Sequence, residues 1–356
     1  MNLRRAGIAL LVPAVTAALF LPAAELIVRL AAPRSLPSQE FIRGFVLKDM
    51  YLADEDCGFV LAPGFSGRIE RDGVVTEFST NSLGLRGPEP GPKTGARILA
   101  LGDSFTWGWG VPDDEAWVRA AARALGENAA EGINGGVNGY GTEAELELLR
   151  KVGPAVQPDL VLVGFYTNDY MDNFFGAQGF YTVRDGYLFN HFTHEYYRES
   201  WLARESHLWR LLSEAREKIR TKWFHGMPSS SPHRGVSQDE LRMGMERTVE
   251  LMATMRDVSD SLGAAFGVVW MAADVYAFPK NPPDIPLRSE LRERVASLGI
   301  PSLDLLPVFR SERDIPGLFI PGDGHMTVRG NRVAGRAVAA WLRDEELLSR
   351  SNHPNP

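Results

Sequence analysis

Apolar residues along the chain follow two periods. Three unbroken runs, Ile98-Leu-Ala-Leu101, Leu160-Val-Leu-Val163 and Phe266-Gly-Val-Val-Trp-Met271, carry no polar alternation. Such runs predict strands buried on both faces of a parallel sheet. Shorter strands are expected around Gly132-Ile-Asn134 and across residues 301–306. Between these, apolar residues recur at helical spacing: Trp117, Val118, Ala121 and Leu125; then Leu146, Leu148 and Leu149; then Met252, Met255 and on towards Leu262; finally Val333, Ala337, Val338, Trp341 and Leu342. Each set forms one buried helical face. Strand and helix in alternation predict an α/β fold, with helices on the faces of a parallel sheet.

Polar punctuation sets the element ends. Asp113-Asp-Glu precedes the Trp117 helix, and acidic residues favour a helix N-terminus. Thr142 with Glu145, and Ser237 with Glu240, read as capping boxes that open the next two helices. Residues 35–95 hold short alternating pieces and turns, predicting a β-rich lead-in that closes on Thr80-Asn-Ser-Leu-Gly-Leu-Arg-Gly87 and a Pro/Gly-rich linker, 88–95. Residues 96–348 then form the main domain, interrupted by an aromatic-rich insertion at about 171–235 that is read equally as a cap over the crevice or as the core of an inserted helical pair. The tail, 349–356, is expected to be disordered.

The N-terminus adds a location. Arg4 and Arg5 precede an uncharged, largely apolar run from Ala6 to Ala24, long enough to cross a bilayer at about 1.5 Å per residue. Residues 1–34 therefore read as a retained signal anchor, a transmembrane helix, in preference to a cleaved signal. That puts the rest of the chain outside the cytoplasmic membrane.

Composition narrows the partners. The net charge of -7 and the lack of a basic stripe exclude a nucleic-acid-binding surface. Cys57 is the only cysteine, which excludes an internal disulfide and a thiolate metal cluster. His191, His194 and Glu195 lack a third ligand at helical spacing and are read as solvated or packed side chains, so neither metal nor cofactor is expected.

Candidate chemistry gathers at the strand ends. The apolar run ending at Leu101 stops at Gly102-Asp-Ser104, so Ser104 stands at the carboxyl end of a parallel strand, where open α/β sheets bind ligands. Two further strand ends carry the glycine-dense turn through Gly139 and the dipeptide Asn168-Asp169, and a late loop carries Asp323 and His325. Acyl transfer needs these parts. A serine hydroxyl needs a base, His325 can take its proton, and Asp323 can fix the imidazole tautomer. The N–H groups of Ser104 and Gly139 and the Asn168 amide are candidate oxyanion donors, each worth about 3 to 4 kcal/mol of barrier. Asp169 is read as a structural turn residue.

The order Gly-Asp-Ser, Gly, Asn-Asp, Asp-x-His resembles the SGNH/GDSL hydrolase superfamily, across residues 97–342. The resemblance implies a flavodoxin-like three-layer α/β/α fold. It implies a serine esterase with Ser104 as nucleophile, His325 as base, and Ser104, Gly139 and Asn168 as the oxyanion hole. The Thr80–Gly87 turn is similar to that of membrane-anchored bacterial members. Two positions depart from the pattern. Tyr166 stands where the family has glycine two residues before the asparagine, Gly164 being the nearest upstream glycine. Gly322 stands where it has the acid, leaving a triad through Asp323 and a Ser104–His325 dyad both open. The expected substrate is an acyl ester, including O-acetyl groups on carbohydrate. The alternatives are O-acyl transfer to an extracellular polysaccharide and a non-catalytic carbohydrate-binding scaffold.

Overall fold

The structure is a computed structural model that describes residues 20–33, 47–71, 74–126, 129–176, 181–184, 186–190, 205–224, 238–273, 285–321 and 323–348, together with Thr16 and Ala277. The chain divides into two compact units, one of residues 1–46 and 191–234, the other of residues 47–190 and 235–356.

The larger unit is built on a five-stranded parallel sheet: β5 (Ala96–Gly102), β6 (Ala130–Gly136), β7 (Leu160–Phe165), β10 (Ala265–Trp270) and β11 (Ser302–Asp304). Their spatial order is β11-β10-β7-β5-β6. All six residues of β7 are buried, as its unbroken apolar run predicts for a strand covered on both faces. From β5 the chain passes through α2 (Trp117–Leu125) to β6 on one side. It then crosses back through α3 (Thr142–Val156) to β7 on the other. Right-handed crossovers running in opposite directions put α2 and α3 on opposite faces, giving three layers. The carboxyl end of β5, where the direction reverses, is the crevice in which such sheets bind ligands.

The closing helix α8 (Val328–Asp344) packs on α2. On the other face α5 (Gln238–Ser261) packs on α3, α4 (Asp169–Phe175) and α6 (Ile285–Ser297). Thr327 caps α8 by accepting the Gly330 N–H at 3.2 Å, and Val333, Val338, Trp341 and Leu342 are buried. Where one strand was expected across 301–306, β11 stops at Asp304, whose carboxylate accepts the Leu306 N–H and opens α7 (Leu305–Arg310). An aspartate at a strand end is also a helix N-cap, and here the cap wins.

The lead-in forms two antiparallel hairpins, β1 (Tyr51–Asp54) with β2 (Gly58–Leu61) and β3 (Ser66–Arg71) with β4 (Val74–Ser79). They belong to the same compact unit as the sheet. Within this unit the described part of the insertion completes α4 to Phe175 and adds a third hairpin, β8 (Tyr181–Arg184) with β9 (Tyr187–Asn190). Its ring Tyr181 meets Phe59 of β2 edge-on at 5.7 Å.

In the smaller unit a helix over residues 20–31 meets the helix His207–Phe224. Glu25 accepts bonds from Ser206 Oγ at 2.7 Å and from the backbone N–H groups of His207 and Leu208, so it caps that second helix from another segment. Most of the expected membrane span, and Ser237, His191, His194, Glu195 and the tail, lie outside the described residues. Among the described residues no helix is long and apolar enough to cross a membrane.

Candidate active site

Ser104 is the first residue of the four-residue helix α1 (Ser104–Trp107), capped by Asp103, which accepts the Phe105 N–H at 2.9 Å. The helix lies close over the sheet because the rung beneath it has no side chains. Gly102 pairs in register with Gly136 on one side and Gly164 on the other. A Cβ at Gly136 would stand 2.2 Å from the Trp107 nitrogen, and one at either Gly102 or Gly164 would stand 2.2 Å from Thr106 Oγ1. Gly102 also has φ +150, which an L side chain rarely adopts. Gly164, noted above for its distance from the asparagine, is therefore the third member of this rung.

The late loop brings His325 to Ser104. Its Nε2 lies 2.7 Å from Ser104 Oγ, and its Nδ1 lies 2.5 Å from Asp323 Oδ1. The same carboxylate oxygen accepts the His325 backbone N–H at 3.1 Å, a local turn that the Asp-x-His spacing makes possible. The Phe105 ring covers the imidazole at 4.6 Å between centroids, and Tyr166 packs on the other side of that contact at 4.4 Å from Phe105. Tyr166, where the family has glycine, thus extends an aromatic stack beside the base.

Gly139 follows β6 by three residues in a left-handed conformation, φ +85, with the Tyr181 ring 2.7 Å from where its Cβ would be. Asn168 follows β7 by three residues as the N-cap residue of α4 without a side-chain capping bond. Its Nδ2 donates to Asp172 Oδ2 at 3.0 Å, while its Oδ1 is buried without a partner. Three neighbouring strands therefore deliver Ser104, Gly139 and Asn168 to one edge of the sheet.

Behind that edge lies a group of carboxyls that the sequence patterns did not single out. Asp103, Glu145 and Asp169 are buried and Asp172 is half-buried. Burial pushes the Asp103 carboxyl up to about 6, against the Phe105 N–H, the His325 charge and the Asn168 amide, which favour its anion. Burial, reinforced by neighbouring carboxyls, raises Glu145, Asp169 and Asp172 well above the ordinary range. Neither Glu145 oxygen has a hydrogen-bond partner, and Asp169 meets only the Tyr166 N–H, at 3.2 Å, through Oδ2.

This overturns the expected capping box at Thr142. Helix α3 does begin there, but Gly141 is the cap residue with no side-chain bond, Thr142 Oγ1 accepts from Asn173, and Glu145 turns inward. The reason was present in the spacing: Glu145 shares a helical face with Leu148, Leu149 and Val152, so burying that face takes the carboxyl with it.

At the carboxyl end of α1 stands Arg86, from the turn that ends the lead-in. Its side chain is fully buried and donates to Asp113 at 2.7 Å and to the carbonyls of Trp107, Gly108 and Val111, with the guanidinium 4.0 Å from the Trp107 ring centre. Asp113, expected only to start a helix, also accepts both the N–H and the hydroxyl of Ser79. The lead-in thereby clasps the segment that follows the serine. Among the described residues no group of three His, Cys, Asp or Glu side chains is arranged to hold a metal ion.

The model of the GDSL-like Lipase/Acylhydrolase family matches residues 100–333, about two-thirds of the chain. Similar solved structures include the lipase/acylhydrolase from Enterococcus faecalis, at 16% identity over 70% of this chain and 96% of that one, TM-score 0.42. An inhibitor-bound aryl esterase of M. smegmatis is 20% identical over 70% of this chain and 99% of that one, TM-score 0.35. The psychrotrophic esterase EstA from Pseudoalteromonas sp. is 11% identical over 70% of this chain and 98% of that one, TM-score 0.41. No curated protein matches.

Proposed function

The chain belongs to the GDSL-like lipase/acylhydrolase family and is an ester-bond hydrolase, and from that premise we propose that it is a serine esterase working through an acyl-enzyme on Ser104. The observation that carries this reading is the chain of contacts Ser104 Oγ, His325 Nε2, His325 Nδ1 and Asp323 Oδ1. Ser104 Oγ attacks the ester carbonyl as its proton passes to His325 Nε2, while Asp323 holds the Nδ1 proton and favours the imidazolium. The oxyanion of the tetrahedral intermediate takes donors from the Ser104 and Gly139 N–H groups and the Asn168 amide. His325 then protonates the departing alkoxide. A water, deprotonated by His325, cleaves the acyl-enzyme, and the proton returns to Ser104.

Turnover of p-nitrophenyl acetate and labelling by a fluorophosphonate test the proposal. Ser104→Ala is expected to abolish both, and D323N to lower kcat by about 10⁴-fold if Asp323 fixes the tautomer. A D323N rate near wild type selects the Ser104–His325 dyad. Retention of both activities by Ser104→Ala removes the serine mechanism, whereas absence of both from the wild type leaves the carbohydrate-binding scaffold as the better reading. O-acetylated carbohydrate is the first substrate class to assay. Acyl transfer to a sugar hydroxyl uses the same residues, and product analysis with an added acceptor separates it from hydrolysis.

The anchor and extracytoplasmic location rest on the uncharged run from Ala6 to Ala24 behind Arg4 and Arg5. A C-terminal alkaline phosphatase fusion is expected to be active; an inactive, stably expressed fusion overturns that placement.

A further inference from the structure

Among the described residues, seven of the ten large apolar side chains left open to solvent belong to the smaller unit. Phe20, Leu21, Leu26, Ile27 and Leu30 stand on the helix over residues 20–31, and Trp209 and Leu212 on the helix His207–Phe224, each between 46 and 77% exposed. A concentration of that kind marks an interaction surface rather than a face built for water.

The anchor indicates its occupant. At about 1.5 Å per residue the uncharged run Ala6–Ala24 covers the hydrocarbon thickness, so Glu25 falls where hydrocarbon gives way to head groups. A lone carboxylate there is costly. Glu25 instead accepts from Arg29 at 2.7 Å, from Ser206 Oγ and from the His207 and Leu208 N–H groups. Arg29 Nη2 also donates to the Glu205 carbonyl at 2.7 Å. Both charges are met within the unit, so the exposed apolar surface continues past them to Leu30. The same bonds tie the first turn of His207–Phe224 to the end of the anchor, at the depth of the head groups.

The pattern of that second helix fits the same boundary. By position along the helix, Leu208, Leu212, Ala215, Ile219 and Trp223 fall on one face. Arg216 and Arg220 border this face on one side and Lys218 and Lys222 on the other, while Glu214 and Glu217 fall opposite it. Bases at the margins lay their apolar stems along the acyl boundary and hold their charges at the phosphates. Five bases against two acids make this helix positive in a chain of net charge -7. A surface both apolar and anionic complements it, whereas a second copy docked on the same face would set like charges together.

We propose that the helix His207–Phe224 lies in the plane of an anionic phospholipid surface with its apolar face inward, fastened at its first turn to the end of the anchor by Glu25. The inference rests on the anchor reading above and adds a second, peripheral contact with the same bilayer.

The test uses the full-length chain reconstituted into vesicles of phosphatidylcholine with or without phosphatidylglycerol. Cys57 is buried, so a cysteine introduced at an exposed position takes a polarity-sensitive maleimide fluorophore selectively. Leu212→Cys probes the apolar face, and Ser213→Cys, the next residue and also exposed, probes the polar side of the same helix. In phosphatidylglycerol vesicles the label at Leu212→Cys is expected to shift to the blue, to be quenched by spin-labelled lipid and to lose quenching by aqueous acrylamide. The label at Ser213→Cys is expected to keep its acrylamide quenching. Replacing Arg216, Lys218, Arg220 and Lys222 by glutamate is expected to abolish the blue shift and the lipid quenching. Three results overturn the proposal: equal acrylamide quenching at the two positions, lipid quenching that survives the charge replacement, or protection of Leu212→Cys without lipid quenching but with crosslinking between two copies. Where Leu212→Cys does not fold, Trp209→Cys takes its place. Carbonate extraction separates the two readings. A chain stripped from the vesicles overturns the anchor and this inference together, whereas one that resists stripping while Leu212→Cys stays open to acrylamide overturns only the role of the helix.

Discussion

Two groups of buried charge flank the nucleophile, and they are resolved in opposite ways. On one side Arg86 is sealed from solvent, yet its guanidinium meets a carboxylate, three carbonyls and an aromatic face. On the other, Asp103, Glu145, Asp169 and Asp172 crowd together with four oxygen positions unpaired on or beside them: both of Glu145, one of Asp169 and one of Asn168. A buried ion whose donors are met is rigid, because every alternative position breaks several bonds at once. A buried acid without partners lowers its cost by keeping a proton instead. The first arrangement fixes geometry; the second ties stability to pH.

The contrast is broken most directly at Arg86. Replacing it by alanine leaves Asp113 Oδ1 and the Val111 carbonyl without their donor and takes one of two donors from the carbonyls of Trp107 and Gly108, which keep Asn134 Nδ2 and the Val111 N–H. R86A is expected to destabilise the protein by about 3 to 5 kcal/mol, measured by urea unfolding. Loss of fluorophosphonate labelling should accompany it, since those carbonyls belong to the segment that follows Ser104. A variant with unchanged stability would mean that the clasp contributes nothing.

Glu145 sharpens the other side. Its folded-state pKa is raised, so the folded protein holds a proton that the unfolded chain releases once pH exceeds the ordinary glutamate value. Stability from this group is therefore full at low pH and declines as pH rises towards the raised value, by about 1.4 kcal/mol per pH unit. E145Q removes the linkage. It is expected to melt near the wild-type temperature at pH 5 and above it at pH 8, and an equal offset at both would show that Glu145 is ionised in place. The smallest effect belongs to the solvent-facing pair Arg294–Glu246, 2.6 Å apart, where E246Q is expected to leave the melting temperature unchanged in high salt.

The same contrast explains what could be read from residue order. The unbroken apolar runs located the strands because a strand covered on both faces leaves no room for polar alternation. Ser104, Asn168, Asp323 and His325 were legible because each stands next to a strand end or loop marked by glycine. Glu145 was misread because a Thr-x-x-Glu spacing has two physical outcomes, a cap or a buried acid, and the tertiary environment of the apolar face selects between them. Arg86 was invisible for a related reason: its partners lie 21 to 27 residues away in a loop, and no local period records them. Hairpin β8–β9 was hidden in an aromatic stretch whose rings pack on the distant β2, so its composition was legible and its strands were not.

The rung of Gly136, Gly102 and Gly164 carries a consequence for how freely the sequence can change. Because the rung beneath α1 offers only main chain, the height of the nucleophile above the sheet is set there by bond lengths and van der Waals radii. Leu99, Val161 or Val268 can be exchanged for another apolar residue and the core can resettle beneath, while Ser104 keeps its datum. Three of the sheet's glycines, set side by side in one rung, thus insulate the reactive hydroxyl from drift in the largest part of the core.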